Sequence, residues 1–314
     1  MIYNKRAANT ALFFMKNLIP ELSFKDIEAG DVNAVRALNS ALHDHGFFSI
    51  IDHGLSISVL DSCYDSSKKF FDLDVNIKKK YHNPNLKGAR GYTPMGIETA
   101  VGEKIADQKE FWHHGPVTDD SFDASIPENI YIDELPEFNT SFDNLFNELN
   151  SIGLRVLKVI AKSLDLPIDY FVKWAEKGNS LLRPIHYPPV HDLSNIHRAR
   201  AHEDINLITL LVGAEEGGLE VLNKNNEWIK VKPSSNAIVC NIGDMMQLVT
   251  EKKLKSTTHR VVQYSDQECK SRYSIPFFLH PSPSTNLKSI FNDNDKGVLA
   301  DDFLNERLKA IKLY

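Results

Sequence analysis

The feature that most constrains the fold is a change of pattern near residue 180, after which the chain consists of short apolar runs. These runs are rich in β-branched and aromatic residues and are separated by Gly, Asn, Asp and Pro, a pattern typical of strands joined by turns. No helical pattern intervenes, so they predict an antiparallel jelly roll rather than a parallel α/β sheet. The predicted strands are 181–187, 207–212, 219–222, 237–242, 260–264 and 273–279.

The first half of the chain has a helical pattern instead. Asp31 is placed to cap a helix that ends near Gly46, and the apolar run 47–51 predicts a strand followed by a second helix. A continuous apolar stripe over 142–164 predicts a long helix against a sheet. The segment 87–137 is dense in Gly, Asp and Pro, and it is predicted to be irregular. The fold class is therefore mainly β with flanking α-helices.

Composition excludes several classes of partner. The 314-residue chain carries a formal charge of -6 and has no long Lys/Arg run, so neither nucleic acid nor anionic lipid is an expected partner. Lys16 interrupts the apolar stretch near the N-terminus, unlike a membrane span. Cys63, Cys240 and Cys269 form no paired motif, which fits a reducing cytoplasm better than a disulfide framework. The oligomeric state is not indicated.

His202-Glu203-Asp204 directly precedes one of the predicted strands. Because side chains alternate along an extended chain, His202 and Asp204 are expected on one face while Glu203 points away. An imidazole and a carboxylate are two of the three ligands of the 2-His-1-carboxylate triad that binds iron(II). Taken alone, such a pair is more commonly a surface feature.

His259 is the candidate for the third ligand. It begins the predicted strand 260–264, where a histidine alone is more often a core or edge residue than a metal ligand. Together with His202 and Asp204, it completes a set of two imidazoles and one carboxylate.

Arg272 and Ser274 are expected on one face of a strongly apolar strand. A buried arginine is costly unless an anion meets it, and a guanidinium pairs bidentately with a carboxylate. An acid-bearing small molecule is therefore implied. Tyr187, which ends the strand 181–187, has a hydroxyl able to reach the same carboxylate, although a core tyrosine before a turn is an equal alternative.

Short motifs in a fixed order extend over nearly the whole chain, and together they resemble the isopenicillin N synthase-like family of iron(II)- and 2-oxoglutarate-dependent dioxygenases. In the N-terminal region the motifs are Ile19-Pro20, Gly46-Phe47-Phe48, His53-Gly54 and Arg90-Gly91-Tyr92. In the C-terminal region they are Tyr187-Pro188, His202-Glu203-Asp204, Gly217-Gly218-Leu219-Glu220-Val221, Asn241-Ile242-Gly243-Asp244, His259-Arg260-Val261 and Arg272-Tyr273-Ser274.

The resemblance implies a distorted double-stranded β-helix, with iron held by His202, Asp204 and His259. It further implies that Arg272 and Ser274, helped by Tyr187, bind the distal carboxylate of 2-oxoglutarate. With O2, this co-substrate would yield succinate and CO2 while a small molecule is oxidised by hydroxylation, desaturation or cyclisation. The expected organisation is a possible disordered extension (1–15), an N-terminal α/β region (16–125), and a long helix with the oxygenase core (126–314), forming one compact unit.

Three alternatives remain open from the sequence. Isopenicillin N synthase itself uses an equivalent Arg-x-Ser pair for a substrate carboxylate and consumes no 2-oxoglutarate, although its longer tail with a glutamine ligand has no counterpart after the predicted helix 303–311. A zinc hydrolase would need a general base, and Glu203 is expected to point away. A binding module without turnover would keep only the fold.

Two residues are candidates for contact with the primary substrate. Arg90 and Tyr92 match a place where the synthase contacts its peptide, although a solvated loop arginine is the commoner situation for Arg90. His113 and His114 are expected to have surface or structural roles.

Overall fold

Two β-sheets form the centre of the molecule in the computed structural model, which describes residues 19–98, 107–189, 197–264 and 270–310. Most of their strands are antiparallel, as the sequence predicts, and β1 runs parallel to β2. The strands are β1 (Glu21–Ser23), β2 (Phe47–Ile51), β3 (Gly91–Thr93), β4 (Glu110–His113), β5 (Leu181–Leu182), β6 (Ile185–Tyr187), β7 (His197–His202), β8 (Ile208–Val212), β9 (Leu219–Leu222), β10 (Trp228–Lys230), β11 (Ile238–Ile242), β12 (His259–Val262), β13 (Arg272–Leu279), β14 (Asn286–Leu287) and β15 (Val298–Leu299).

The two main sheets share an inner apolar cluster. Within the described residues, the larger sheet has the order β1-β2-β11-β8-β13-β6-β4-β3, with β5 also paired to β13, and the smaller has the order β10-β9-β12-β7. Phe47 and Val239 from the larger sheet pack with Val221 and Val261 from the smaller one. This packing is that of a two-sheet jelly roll, and the space between the sheets is where a site can form.

Helices cover the outer face of the larger sheet. The longest, α5, spans 28 residues and buries an apolar stripe that begins at Phe138 and ends at Ala161. Its Gly153 lies against Leu210 of β8 and Leu279 of β13, so the helix approaches the sheet closely there. The helices are α1 (Phe24–Ala29), α2 (Val32–Asp44), α3 (Ile57–Phe71), α4 (Val75–Lys80), α5 (Pro136–Ser163), α6 (Val172–Ala175), α7 (Asp244–Val249) and α8 (Ala300–Ala310).

Helix α2 begins and ends where the sequence predicts. The Asp31 carboxylate accepts hydrogen bonds from the backbone N–H groups of Asn33 and Ala34, which are two of the donors that a helix N-terminus leaves unpaired. Gly46 follows the helix with φ at 63°, a left-handed conformation that glycine adopts at low cost. The turn at Gly46 leads directly into β2.

Gly46→Ala is expected to destabilise the protein by about 3 kcal/mol, because a Cβ there would overlap the Lys255 carbonyl oxygen in addition to the left-handed strain. Gly30→Ala is the matched control, since Gly30 has a φ of 79° but open space around it. It should cost only about 1 kcal/mol. Chemical denaturation of both variants measures the difference, and equal losses would contradict the steric argument.

The structure corrects two predictions about local structure. The predicted strand 181–187 is divided into β5 and β6, because the Arg183-Pro184 step interrupts the pairing and proline has no N–H to donate. The segment 87–137 is not wholly irregular, since it contains β3 and β4 and the first residues of α5. Both strands are short, and their sequences lack the long apolar alternation on which strand prediction depends.

Strands from the N-terminal half are inserted among strands from the C-terminal half. β2 pairs with β11, and β4 pairs with β6. The expected extension over 1–15 and Cys269 lie outside the described residues, whereas Cys63 and Cys240 are free and buried. Of the helices that the structure describes, none combines the length and the apolarity that crossing a bilayer requires.

Candidate metal centre and its cavity

A cavity of about 510 Å³ opens between the two sheets. Volumes of this size are typical of small-molecule sites. Its wall includes all three candidate metal ligands as well as Arg272, Ser274 and Tyr187, and α8 closes part of it with Leu304 and Leu308. The sequence therefore identified groups that line one cavity.

His202 and His259 are direct cross-strand partners in the pairing of β7 with β12. Their ring centroids are 4.4 Å apart. Nδ1 of His202 lies 2.6 Å from the Arg200 carbonyl oxygen, and Nδ1 of His259 lies 3.1 Å from that of Thr257. A carbonyl oxygen accepts a hydrogen bond only from a protonated Nδ1, so Nε2 is the nitrogen of each ring that faces the other ligands.

Asp204 completes the group from a loop rather than from a strand. Its Oδ1 lies 3.9 Å from Nε2 of His202 and 3.7 Å from Nε2 of His259. Its Oδ2 accepts hydrogen bonds from the Thr209 hydroxyl at 2.6 Å and the Asn241 amide at 2.8 Å. One carboxylate oxygen is thus held in place by the larger sheet while the other faces the two imidazoles.

The prediction that His202 and Asp204 share a strand face is wrong in its local detail. His202 is the last residue of β7, and Asp204 lies in the connection to β8. The two side chains still converge as predicted, and Thr209 and Asn241 hold the carboxylate in place. Glu203 is oriented elsewhere, as expected, and accepts a hydrogen bond from the Thr258 hydroxyl.

The three side chains bring their ligand atoms close together, and the pKa shifts of His202 and Asp204 favour binding of a cation. One ligand atom from each lies within 4.8 Å of the others. Burial, followed by the proximity of His259, lowers the pKa of His202 to about 4, so its ring is neutral near pH 7. Burial would raise the pKa of Asp204, but the two histidines outweigh it and the pKa is lowered. A carboxylate beside the Nε2 atoms of two histidines is a donor set that fits a divalent metal.

Arg272 carries a buried positive charge that the described residues leave partly unpaired. Its Nε donates to the Gly217 carbonyl oxygen at 3.1 Å, whereas both terminal nitrogens are buried and have no hydrogen-bond partner in the part of the chain that the structure describes. Tyr187 is its cross-strand partner, with the guanidinium 5.2 Å from the ring centroid, and Ser274 is buried two residues further on. These orphaned donors fit an anion.

Arg90 and Tyr92 do not have the positions expected of substrate contacts, because neither side chain lines the cavity. Arg90 is only 1% exposed, so it is not a solvated loop residue either, and it donates to the Ala89 carbonyl oxygen and the Asn179 amide oxygen. The Tyr92 hydroxyl donates to the buried carboxylate of Glu110. Both residues are better described as structural.

Sequence reasoning missed other polar groups of the site. Thr209 and Asn241 had a usable signal, because each is a polar residue inside an otherwise apolar strand. Arg183 and Lys109 had no such signal, since their role depends on which distant residues meet at the cavity wall. His113 is buried and accepts from Nε of Arg183 at 2.5 Å, and His114 pairs with Asp143, so both have structural contacts as expected.

Comparison with protein families gives two matches that together extend over most of the chain. Residues 178–281 match the 2OG-Fe(II) oxygenase superfamily. Residues 19–134 match the N-terminal region of non-haem dioxygenases in morphine synthesis. The first match includes every candidate metal and 2-oxoglutarate residue named above.

Individual relatives agree with this assignment. A 2-oxoglutarate-dependent dioxygenase of Didymella fabae is 30% identical over 96% of this chain and 98% of its own length. A proline hydroxylase of Petromyces alliaceus is 32% identical, over 82% of this chain and 84% of its own.

Solved structures have the same fold, which confirms the jelly-roll prediction. A 2OG-Fe(II) oxygenase family protein from Caulobacter crescentus superposes with a TM-score of 0.85 and 39% identity, covering 93% of this chain and 99% of that one. A full-length Neurospora crassa protein in complex with alpha-KG (2-oxoglutarate) has a TM-score of 0.82 and 26% identity, covering 93% and 97%. The chain therefore belongs to the 2OG-Fe(II) oxygenase superfamily and is a non-haem, iron(II)- and 2-oxoglutarate-dependent dioxygenase.

Proposed function

We propose that His202, Asp204 and His259 hold the iron of this dioxygenase, and that Arg272 binds the distal carboxylate of 2-oxoglutarate. The observation that carries the proposal is the pair of buried, unpartnered Arg272 nitrogens, among the described residues, in the same cavity as the His-Asp-His group. Leaving such donors unmet costs free energy in the unliganded protein, and a carboxylate is the group whose geometry matches both.

Ser274 and Tyr187 are proposed to assist Arg272. Ser274 lies on the same face of β13, and Tyr187 lies opposite Arg272 on β6, so both hydroxyls belong to the same end of the cavity. A hydroxyl donates one hydrogen bond and accepts others, which lets it satisfy a carboxylate oxygen that the guanidinium does not reach. The keto acid end would then extend towards the metal group.

The protein's own contribution is position and exclusion of water. Thr209 and Asn241 keep Oδ2 of Asp204 occupied, which leaves Oδ1 for the metal. When bound, iron(II) would activate O2 with 2-oxoglutarate as the reductant: one oxygen atom enters succinate as CO2 is released, and the other is available to oxidise a C–H bond of the substrate. The apolar side chains of α8 shield this space from solvent on one side.

The substrate is a small molecule, and the cavity of about 510 Å³ has a volume typical of a small-molecule site. Hydroxylation, desaturation and cyclisation are the outcomes open to the site, and the proline hydroxylase among the relatives is named for the first of them. We further propose that the protein acts in the cytoplasm, since Cys63 and Cys240 are free thiols and burial raises the pKa of each.

The experiment that tests the proposal measures metal content and oxygen uptake on one preparation. The anaerobically reconstituted protein should bind one iron(II) per chain and should consume O2 only when 2-oxoglutarate is present, releasing succinate. Oxygen uptake that does not require 2-oxoglutarate would instead support an oxidase of the isopenicillin N synthase type. Hydrolysis with zinc and without O2 would contradict the proposal.

Thr209→Val is expected to weaken iron(II) binding about 10- to 100-fold, because it removes one of the two hydrogen bonds that orient Asp204 while keeping the side-chain volume. Titration with iron(II) under anaerobic conditions measures the dissociation constant. Thr140→Val, at an exposed position on α5, is the matched control and should bind iron as the parent does. An unchanged dissociation constant for Thr209→Val would show that Asp204 does not depend on this contact.

A further inference from the structure

One face of β13 lines the cavity along the whole length of the strand. Arg272, Ser274, Pro276 and Phe278 alternate along it, and His280 follows directly. On the neighbouring strands, Tyr187 lies opposite Arg272 and the Arg183 N–H donates to the Pro276 carbonyl oxygen. Arg183 and Tyr187 are four residues apart, which is about 13 Å in an extended chain. The cavity therefore has a second polar end, well separated from Arg272.

The Arg183 guanidinium is held rigidly at this second end. It lies between two aromatic rings, 4.6 Å from the centroid of Phe111 and 4.9 Å from that of Phe278. Its Nε donates to Nε2 of His113 at 2.5 Å. These contacts restrict the guanidinium before a ligand binds, which lowers the entropic cost of binding.

Glu98 is the carboxylate that pairs with Arg183, but it contacts another cation, Lys109, at a shorter distance. Nη1 of Arg183 lies 3.5 Å from Glu98, whereas Nζ of Lys109 lies 2.6 Å from the same carboxylate. Burial would raise the pKa of Glu98, but Lys109 and Arg183 outweigh it and lower the pKa to about 2. Glu98 is thus a single negative charge shared between two cations.

Among the described residues, the ion pairs around this end leave Arg183 with the weakest contact to a carboxylate. They form a chain in which Arg183 contacts Glu98, Glu98 contacts Lys109, and Lys109 contacts Asp107. Asp107 also pairs with Arg200 at 3.1 Å, so neither carboxylate belongs to one cation alone. The 3.5 Å contact of Arg183 is the longest of these pairs, so the positive charge of this half-buried side chain is only weakly paired next to the cavity.

His280 supplies an unpaired hydrogen-bonding group at the same end. It is 6% exposed and lines the cavity, and its buried Nδ1 has no partner among the described residues. Burial lowers the pKa of His280 to about 4, so the ring is neutral and offers one N–H near pH 7. His113 adds no charge of its own, because burial and Arg183 hold its pKa well below the usual value.

We propose that Arg183, with His280, binds a carboxylate of the primary substrate, so that the enzyme oxidises an apolar carboxylic acid. The guanidinium fork matches a carboxylate, and one weakly paired cation matches one acid group. The remainder of the ligand would contact apolar side chains, which include Leu181, Phe278, Leu304 and Leu308. This inference rests on the proposed function, in which Arg272 is already occupied by 2-oxoglutarate.

The test measures binding rather than turnover. Protein loaded with Mn(II) and saturated with 2-oxoglutarate is titrated by calorimetry with straight-chain acids from butanoate to octanoate, benzoate, phenylacetate and indole-3-acetate, each beside its primary amide. At least one acid should bind roughly 10- to 100-fold more tightly than its amide. Arg183→Gln should remove that preference, and Arg183→Lys should keep part of it.

Controls separate this inference from the function on which it rests. Arg155→Gln removes an arginine that pairs with Glu28 outside the cavity, and it should keep the full preference for acids. Arg183→Gln should bind Mn(II) and 2-oxoglutarate as the parent does. If every acid binds no better than its amide, or if Arg183→Gln keeps the preference, the inference is overturned. A parent protein that fails to bind Mn(II) and 2-oxoglutarate would instead overturn the proposed function.

Discussion

Replacing either His202 or Asp204 with alanine is expected to reduce turnover below about one thousandth of the parent rate and to abolish stoichiometric iron binding. Each change removes one of the three ligand atoms that lie within 4.8 Å of one another. His202→Ala also leaves a gap beside His259, whereas Asp204→Ala removes the only carboxylate of the group and leaves the Thr209 and Asn241 donors unpaired. Metal analysis and succinate release on the same samples measure both effects.

Exposed residues of the same type provide the controls. His43→Ala on α2 and Asp61→Ala on α3 change side chains away from the cavity and should keep iron content and rate at the parent level. Full activity with bound iron in His202→Ala or Asp204→Ala would remove the assignment of the metal centre. Circular dichroism separates loss of the metal from loss of the fold.

Arg272→Gln should raise the apparent KM for 2-oxoglutarate roughly a hundred-fold, since it replaces charge-assisted hydrogen bonds to a carboxylate with at most one neutral contact. The iron content should not change, because Arg272 contacts none of the three ligands directly. Initial rates over a range of 2-oxoglutarate concentrations give the constant. Arg36→Gln, at an exposed position on α2, is the matched control.

The same substitution has an unusual expected effect on stability. Because both terminal nitrogens of Arg272 are buried and lack partners among the described residues, the Arg272→Gln variant should unfold at no lower temperature than the parent when 2-oxoglutarate is absent. Added 2-oxoglutarate should stabilise the parent and leave the variant nearly unchanged. An unaltered KM, or equal stabilisation of both proteins, would refute the role of Arg272.

The sequence predicted the elements whose pattern lies in residues that are close together along the chain. The β13 run, the capped helix α2 and the long stripe of α5 have local patterns, and the structure has elements at all three. The motif and the resemblance also predicted His202, Asp204 and His259, which lie together in the structure. The position of Asp204 was not predicted. Thr209 and Asn241 hold its carboxylate, and Asn241 lies on β11, much further along the chain.

The second polar end of the cavity was not predicted for a related reason. Arg183, Glu98 and Lys109 come from separate segments, and nothing local to any of them indicates that they meet. For Arg90, in contrast, the sequence suggested an exposed loop residue, whereas the side chain is buried. An arginine among glycines is usually solvated, but here Gly115 lies directly against the guanidinium and Asn179 accepts its hydrogen bond, so the side chain is enclosed.

Helix α8 covers the cavity with Leu304 and Leu308, yet it supplies no residue to the His-Asp-His group and none to the Arg272 end. Changes in this segment can therefore reshape the space around a substrate while the oxidising machinery stays intact. Part of the substrate space is therefore lined by a helix that takes no part in the oxidising machinery, and substitutions there can change selectivity without changing reactivity. Saturation mutagenesis for altered selectivity has its natural target there.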